Sequence, residues 1–108
     1  MEKPTLLERL TQGPLLADGA MGTMLYARGF PFDRCYEALN VEAPEVVLEI
    51  HRAYLQAGAE LLETNTFGAN RYRLAEHGLE DRVAALNRAG VALARQAARE
   101  VNRPEWIA

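Results

Sequence analysis

Cysteine is nearly absent from this 108-residue sequence: Cys35 stands alone, so no internal disulfide framework can form, and the usage suits a reducing compartment. Lysine is as scarce, with Lys3 beside eleven arginines, and the net charge is −3. A net-acidic chain without a basic cluster makes a poor ligand for nucleic acid, whose phosphates reward stripes of Lys and Arg. No apolar run approaches the roughly 20 residues that a bilayer-crossing helix needs, so no membrane partner is expected. The start, Met1-Glu2-Lys3-Pro4-Thr5, leads into an amphipathic segment instead of a signal-peptide core, and the expected location is the cytoplasm. Repeats, low-complexity tracts and internal linkers are also missing. What remains, 49% hydrophobic and 25% charged residues, is an ordinary globular balance in a length that fits at most one domain.

The hydrophobic pattern alternates between short apolar runs and helical stripes. Leu6, Leu7 and Leu10 share one helical face within residues 5–12, and Gly13-Pro14 stops that helix. Leu15-Leu16-Ala17, bounded by turn signals, reads as a short buried strand. Met21, Met24 and Leu25 begin a helical pattern that Gly29-Phe30-Pro31-Phe32 breaks, and residues 33–40 hold another helical turn. From Pro44 the signal strengthens. Proline suits a first helical turn, Glu45 suits its positive dipole end, and Val46, Val47, Ile50, Ala53, Tyr54 and Ala57 form an apolar stripe ending before Gly58.

Residues 59–64 read as a second strand, residues 70–77 as a short helix ending at Gly78, and residues 79–101 as a long helix on Leu79, Val83, Leu86, Leu93, Ala97 and Val101. Arg95, Arg99 and Arg103 lie toward its negative dipole end and Pro104 closes it. Trp106-Ile107-Ala108 reads as the onset of a third strand. Strands joined by helical crossovers of this length run parallel, and the fold class is therefore α/β. Parallel strands need cover on both faces, which two or three of them cannot supply. The segment therefore reads as incomplete by its own physics, at under half of the roughly 250 residues of a typical eight-fold β/α barrel.

In parallel α/β architectures ligands gather at the carboxyl ends of the strands, and two loops fall there. Asp18-Gly19-Ala20-Met21-Gly22-Thr23 offers a carboxylate able to hold an ammonium group, with glycines that let backbone N–H groups approach a ligand. Taken alone it also fits a tight Asp-Gly turn bonded to its own backbone. Glu63-Thr64-Asn65-Thr66-Phe67-Gly68-Ala69-Asn70 offers hydroxyls, amides and a ring that could wall a small pocket. The structural alternative has Thr64 and Thr66 satisfying loop backbone while Phe67 packs as core. Cys35 has no partner at metal-ligand spacing, His51 and His77 read as structural or surface residues, and Glu42, Glu45 and Glu49 read as a solvated helix face.

Together these segments resemble the homocysteine S-methyltransferase domain, found in cobalamin-dependent methionine synthase, in betaine–homocysteine methyltransferase and in bacterial fusions to methylenetetrahydrofolate reductase. The resemblance rests on LLADGAMGTMLYARG (15–29), EVVLEIHRAYLQAGAELLETNTFGANRYRL (45–74) and GLEDRVAALNRAGVALAR (78–95), with FDRCYEALN (32–40) nearer the reductase-fused type. It implies a (β/α)8 TIM barrel, of which residues 1–108 are the first two β/α units and the start of a third strand, the remainder lying outside this sequence. Such a barrel binds homocysteine at its C-terminal mouth, where zinc holds the sulfur as the nucleophilic thiolate. By the same resemblance Asp18 pairs with the substrate amino group, backbone amides around Gly19, Ala20 and Met21 line the amino-acid end, and Thr64 and Phe67 complete it. The family's three zinc-binding cysteines match nothing here, so no metal ligand and no catalytic residue is assigned to this segment. The methyl donor is open among methylcobalamin, betaine and S-methylmethionine, and a reductase or cobalamin module is an expected partner. Two other readings stay in play: a segment that binds an amino acid or packs against a partner without catalysis, and an unrelated amino-acid-binding α/β barrel.

Overall fold

The computed structural model describes residues 3–108, so the first two residues of the N-terminal reading, Met1 and Glu2, lie outside the described residues. Helix α1 (Leu6–Leu10) begins at a reciprocal cap: the Thr5 hydroxyl accepts the Glu8 N–H at 3.1 Å, and the Glu8 carboxylate accepts the Thr5 N–H at 3.0 Å. The helix is shorter than its leucine spacing predicts, and that leucine face is not core, because Leu7 is 77% exposed and Leu10 45%. Charge anchors it instead. Arg9 places its guanidinium on the Glu60 carboxylate through two bonds of 3.1 and 2.9 Å and reaches the carbonyls of Gly13 and Pro14.

The parallel sheet is small. Strand β1 (Leu61–Leu62) pairs with strand β2 (Trp106–Ile107), Leu61 opposite Trp106 and Leu62 opposite Ile107. On the other side of β1, residues 15–17 run parallel to it through a single bridge between Ala17 and Leu61. There the Leu61 carbonyl accepts the Asp18 N–H at 2.9 Å, and the Leu16 carbonyl accepts the Glu60 N–H at 2.7 Å. The order and direction match the alternation of the sequence, but the predicted first strand is neither regular nor buried: Leu16 is 55% exposed. Among the described residues it has a sheet neighbour on one side alone, and one neighbour cannot bury a strand whose two faces both require cover.

Helices α2 (Gly22–Ala27), α3 (Leu39–Glu42) and α4 (Pro44–Gln56) fill the first crossover, with a 3₁₀ turn at Tyr36–Ala38 leading into α3. Helices α5 (Arg71–Ala75) and α6 (Val83–Arg99) fill the second. Asn70 caps α5 by accepting the Arg73 N–H at 3.0 Å, and Gly78 leaves it at φ +71°. The long predicted helix starts later than its pattern implied, since residues 80–82 form a 3₁₀ turn, and only from Val83 is the backbone α-helical.

The core lies where α4 and α6 pack beside β1, with Leu25, Leu39, Val47, Leu48, Ile50, Leu55, Leu62, Leu93, Ala94 and Ala97 in one cluster. Burial on α4 is wider than the predicted stripe: Leu48, His51 and Leu55 are inside and Ala57 is exposed, because α4 is covered by α2, α3 and α6 together. On α6 the gap between Leu86 and Leu93 holds buried Gly90. Arg52 and Glu100 tie the outer surfaces of these helices with bonds of 2.6 and 2.8 Å.

Candidate functional site

The two predicted loops leave the carboxyl ends of neighbouring parallel segments, 15–17 and β1, and therefore emerge side by side. All six residues singled out from the sequence, Asp18, Gly19, Ala20, Met21, Thr64 and Phe67, line one cleft of about 640 Å³.

The loops touch directly. The Asp18 carboxylate accepts the Glu63 N–H, at 3.2 Å to Oδ1 and 3.1 Å to Oδ2, so it bonds to the next strand's backbone and not, as a simple Asp-Gly turn would have it, within its own turn alone. Burial pushes the Asp18 carboxyl above its usual range; the Glu63 N–H opposes that shift, and the Glu63 charge adds to it. Tyr54, on α4, fixes the rest of this loop: its hydroxyl donates to the Ala20 carbonyl at 2.7 Å. A Cβ at position 19 would meet that hydroxyl at 2.9 Å, so glycine is what allows the approach. Among the described residues no protein acceptor takes the N–H groups of Gly19, Ala20 or Met21, which leaves three donors beside the carboxylate.

The second loop is held by polar groups. Thr64 donates its N–H to the Ala108 carbonyl at 2.9 Å, and its hydroxyl lies 2.7 Å from that of Thr66. Asn65, nearly buried, donates to the Tyr36 carbonyl at 2.9 Å and to Asn40 Oδ1 at 3.0 Å. Gly68 donates its N–H to Glu37 at 3.0 Å. The structural alternative for Phe67 fails, because its ring is 91% exposed and is not core. Opposite, Phe32 stacks on Tyr26 with ring centroids 4.3 Å apart and also lines the cleft.

Several residues that shape the site escaped the sequence reading. Tyr54 counted only as part of an apolar stripe, Glu37 and Asn40 fell in an irregular stretch, and His77, read as a helix-end residue, lines the cleft. The lone glycine in an alanine-rich helix, Gly90, was the one visible signal, since such a residue marks a close approach. Cys35 also faces the cleft; burial pushes its thiol pKa up, and it points to Glu37 Oε1 at 3.7 Å. Among the described residues no three His, Cys, Asp or Glu side chains converge to hold a metal ion, so the residues here do not fit a zinc site.

Both the sequence and the backbone course of this chain are shared with known proteins. The family model for homocysteine S-methyltransferase matches residues 15–108, which takes in both loops. The methionine synthase of Mycobacterium tuberculosis (strain ATCC 25618 / H37Rv) is 42% identical over 106 residues, covering 93% of this chain, and that of Mycobacterium leprae (strain TN) is 41% identical. The chain spans 9% of the length of each. Among solved structures, the homocysteine methyltransferase MmuM from Escherichia coli in its metallated form superposes with a TM-score of 0.80 at 34% identity, over 94% of this chain and 39% of that one. Its oxidized form gives 0.75 at 38% identity, over 90% and 35%. A shared backbone course and a family match over most of the length lead to one conclusion: this chain belongs to the homocysteine S-methyltransferase family.

Proposed function

We propose that this chain is the N-terminal segment, the first two β/α units and the start of a third strand, of a (β/α)8 barrel enzyme that transfers a methyl group to homocysteine to form methionine. Its part is to grip the amino-acid end of the substrate. One observation carries the reading: a half-buried carboxylate, three backbone N–H groups with no acceptor among the described residues and an exposed ring belong to residues that line one cleft at the carboxyl ends of adjacent parallel strands. Relatives named methionine synthase and homocysteine methyltransferase supply the substrate and the product.

The chemistry assigned to these residues is recognition. An α-amino acid presents an ammonium and a carboxylate about one residue's breadth apart. The Asp18 carboxylate takes the ammonium, and that cation offsets the burial and the Glu63 charge that raise its pKa. The N–H groups of Gly19, Ala20 and Met21 face the substrate carboxylate, and Thr64 and Phe67 close the side of the pocket. Zinc, which in this family would activate the thiol, belongs on ligands outside this segment, because among the described residues no three His, Cys, Asp or Glu side chains converge to hold it. The donor, with methylcobalamin among the candidates, and any cobalamin or reductase module belong likewise to other parts.

The test is calorimetric. In the full-length protein Asp18→Asn is expected to weaken homocysteine binding by about 1.5–3 kcal/mol, the range for a charge-assisted hydrogen bond. Wild-type affinity is expected to fall as pH drops through the raised Asp18 pKa, a dependence the Asn variant loses. Unchanged affinity in Asp18→Asn would remove the assigned role. Binding without methyl transfer by the full-length protein would favour the non-catalytic alternative.

A further inference from the structure

The loop after β1 is clamped from one neighbouring segment at two points, one on each side of Phe67. Before Phe67, the Asn40 amide donates to the Asn65 carbonyl at 2.8 Å and to the Leu86 carbonyl at 3.1 Å, while its Oδ1 accepts from Asn65 Nδ2 at 3.0 Å. Asn65 completes the set by donating to the Tyr36 carbonyl. Asn40 is 3% exposed and Asn65 6%, and all four amide N–H positions of the pair have acceptors. Buried amides fully satisfied in this way fix one geometry, because any other arrangement strands a polar group away from water.

After Phe67, Glu37 accepts the Gly68 N–H at 3.0 Å, and a Cβ on Gly68 would lie 3.0 Å from its carboxylate oxygen. Beneath the loop, α6 offers a notch: a Cβ on Gly90 would come within 2.8 Å of Thr66 Cγ2, 2.9 Å of Asn40 Nδ2 and 3.2 Å of the Asn65 carbonyl. The backbone is thereby held at 65, 66 and 68 while the Phe67 side chain projects almost wholly into the open.

We propose that Asn40, Glu37 and Gly90 are positioning residues that hold the Thr64–Phe67 wall of the pocket in its binding shape, Asn40 and Gly90 from behind it and Glu37 through the Gly68 N–H at the edge of the cleft. This rests on the amino-acid-binding reading of the cleft. Free of the clamp, the loop must be ordered anew at each binding event, and that cost falls on substrate binding before it falls on the chemical step.

The experiment uses the full-length protein with Glu37→Ala, Glu37→Gln and Asn40→Asp, each read by site-resolved amide hydrogen exchange and by steady-state kinetics. In Glu37→Ala the Gly68 N–H is expected to exchange about tenfold faster, and the KM for homocysteine to rise roughly five- to tenfold, the scale of one hydrogen bond. Both kcat and the KM for the methyl donor should stay within about twofold. Glu37→Gln keeps a carbonyl acceptor and should restore both readouts. Asn40→Asp turns a carboxylate oxygen toward two carbonyls and should loosen residues 65–68 more strongly; if it does not fold, the Glu37 pair still decides. An unmoved homocysteine KM in Glu37→Ala, or a loss in Glu37→Gln equal to that of the alanine variant, overturns the proposal. If the wild-type protein neither binds nor methylates homocysteine, the functional reading falls, and the exchange data decide separately whether the clamp exists.

Discussion

His51 shows how far one residue can depart from what its type predicts. Its side chain, on α4, is wholly buried, and neither ring nitrogen has a hydrogen-bond partner. Burial disfavours the imidazolium and lowers the pKa from 6.5 to about 4. The unfolded chain therefore binds a proton near pH 6.5 that the folded chain refuses until about pH 4. The resulting stability is fully present above pH 6.5 and is lost as pH falls through that window, by about 3 kcal/mol in all. Denaturant titrations of the full-length protein between pH 7 and pH 4 should show this loss, and His51→Leu should flatten it. An equal acid dependence in both proteins would place the sensitivity elsewhere. Asp18 works in the opposite sense, because its raised pKa makes the ionised form unfavourable in the fold, and an ammonium held as proposed would reverse that.

Among the elements, α6 couples packing to the site. In a free helix Gly→Ala gains about 1 kcal/mol from propensity. At Gly90 the added methyl would meet Thr66, the doubly bonded Asn40 amide and the Asn65 carbonyl at 2.8–3.2 Å. Two of these cannot yield without breaking buried hydrogen bonds, so overpacking, typically about 1–3 kcal/mol, outweighs propensity. Gly90→Ala is expected to lower the stability of the full-length protein by up to about 2 kcal/mol net and to disturb the loop after β1. A stabilised variant in a chemical melt would mean that the notch is loose. The periodicity of α6 was legible because Leu86, Leu93 and Ala97 share a helical face. The role of Gly90 was not, since helical spacing says which face turns inward but not what lies against it. The same limit explains α1, whose three leucines keep the spacing of a core helix while their face stays largely in solvent.

For the molecule as a whole, the parallel order of residues 15–17, β1 and β2 leaves two outer edges. Among the described residues neither the far side of 15–17 nor that of β2 is paired. Leu7, Leu10 and Leu16 add exposed apolar surface. Open parallel edges recruit other strands, so residues 1–108 produced by themselves are expected to self-associate or to remain partly molten. Sedimentation at several concentrations, together with near-ultraviolet circular dichroism, checks this; a sharply melting monomer would contradict it.

The sequence by itself determined the alternation of short strands and helices, the parallel sense that helical crossovers impose, and the two loops that line one cleft. Each of these is local: spacing, turn residues and caps act within a few positions along the chain. Only the tertiary structure decided that Asp18 reaches the backbone of the next strand, that Tyr54 braces Ala20, that Phe67 stands outside the core, and that Asn40 ties together parts 25 and 46 residues away. Those partners meet because packing α4 and α6 beside β1 brings distant backbone groups together out of water, where each must find a mate, and no period in the sequence encodes which mate it finds.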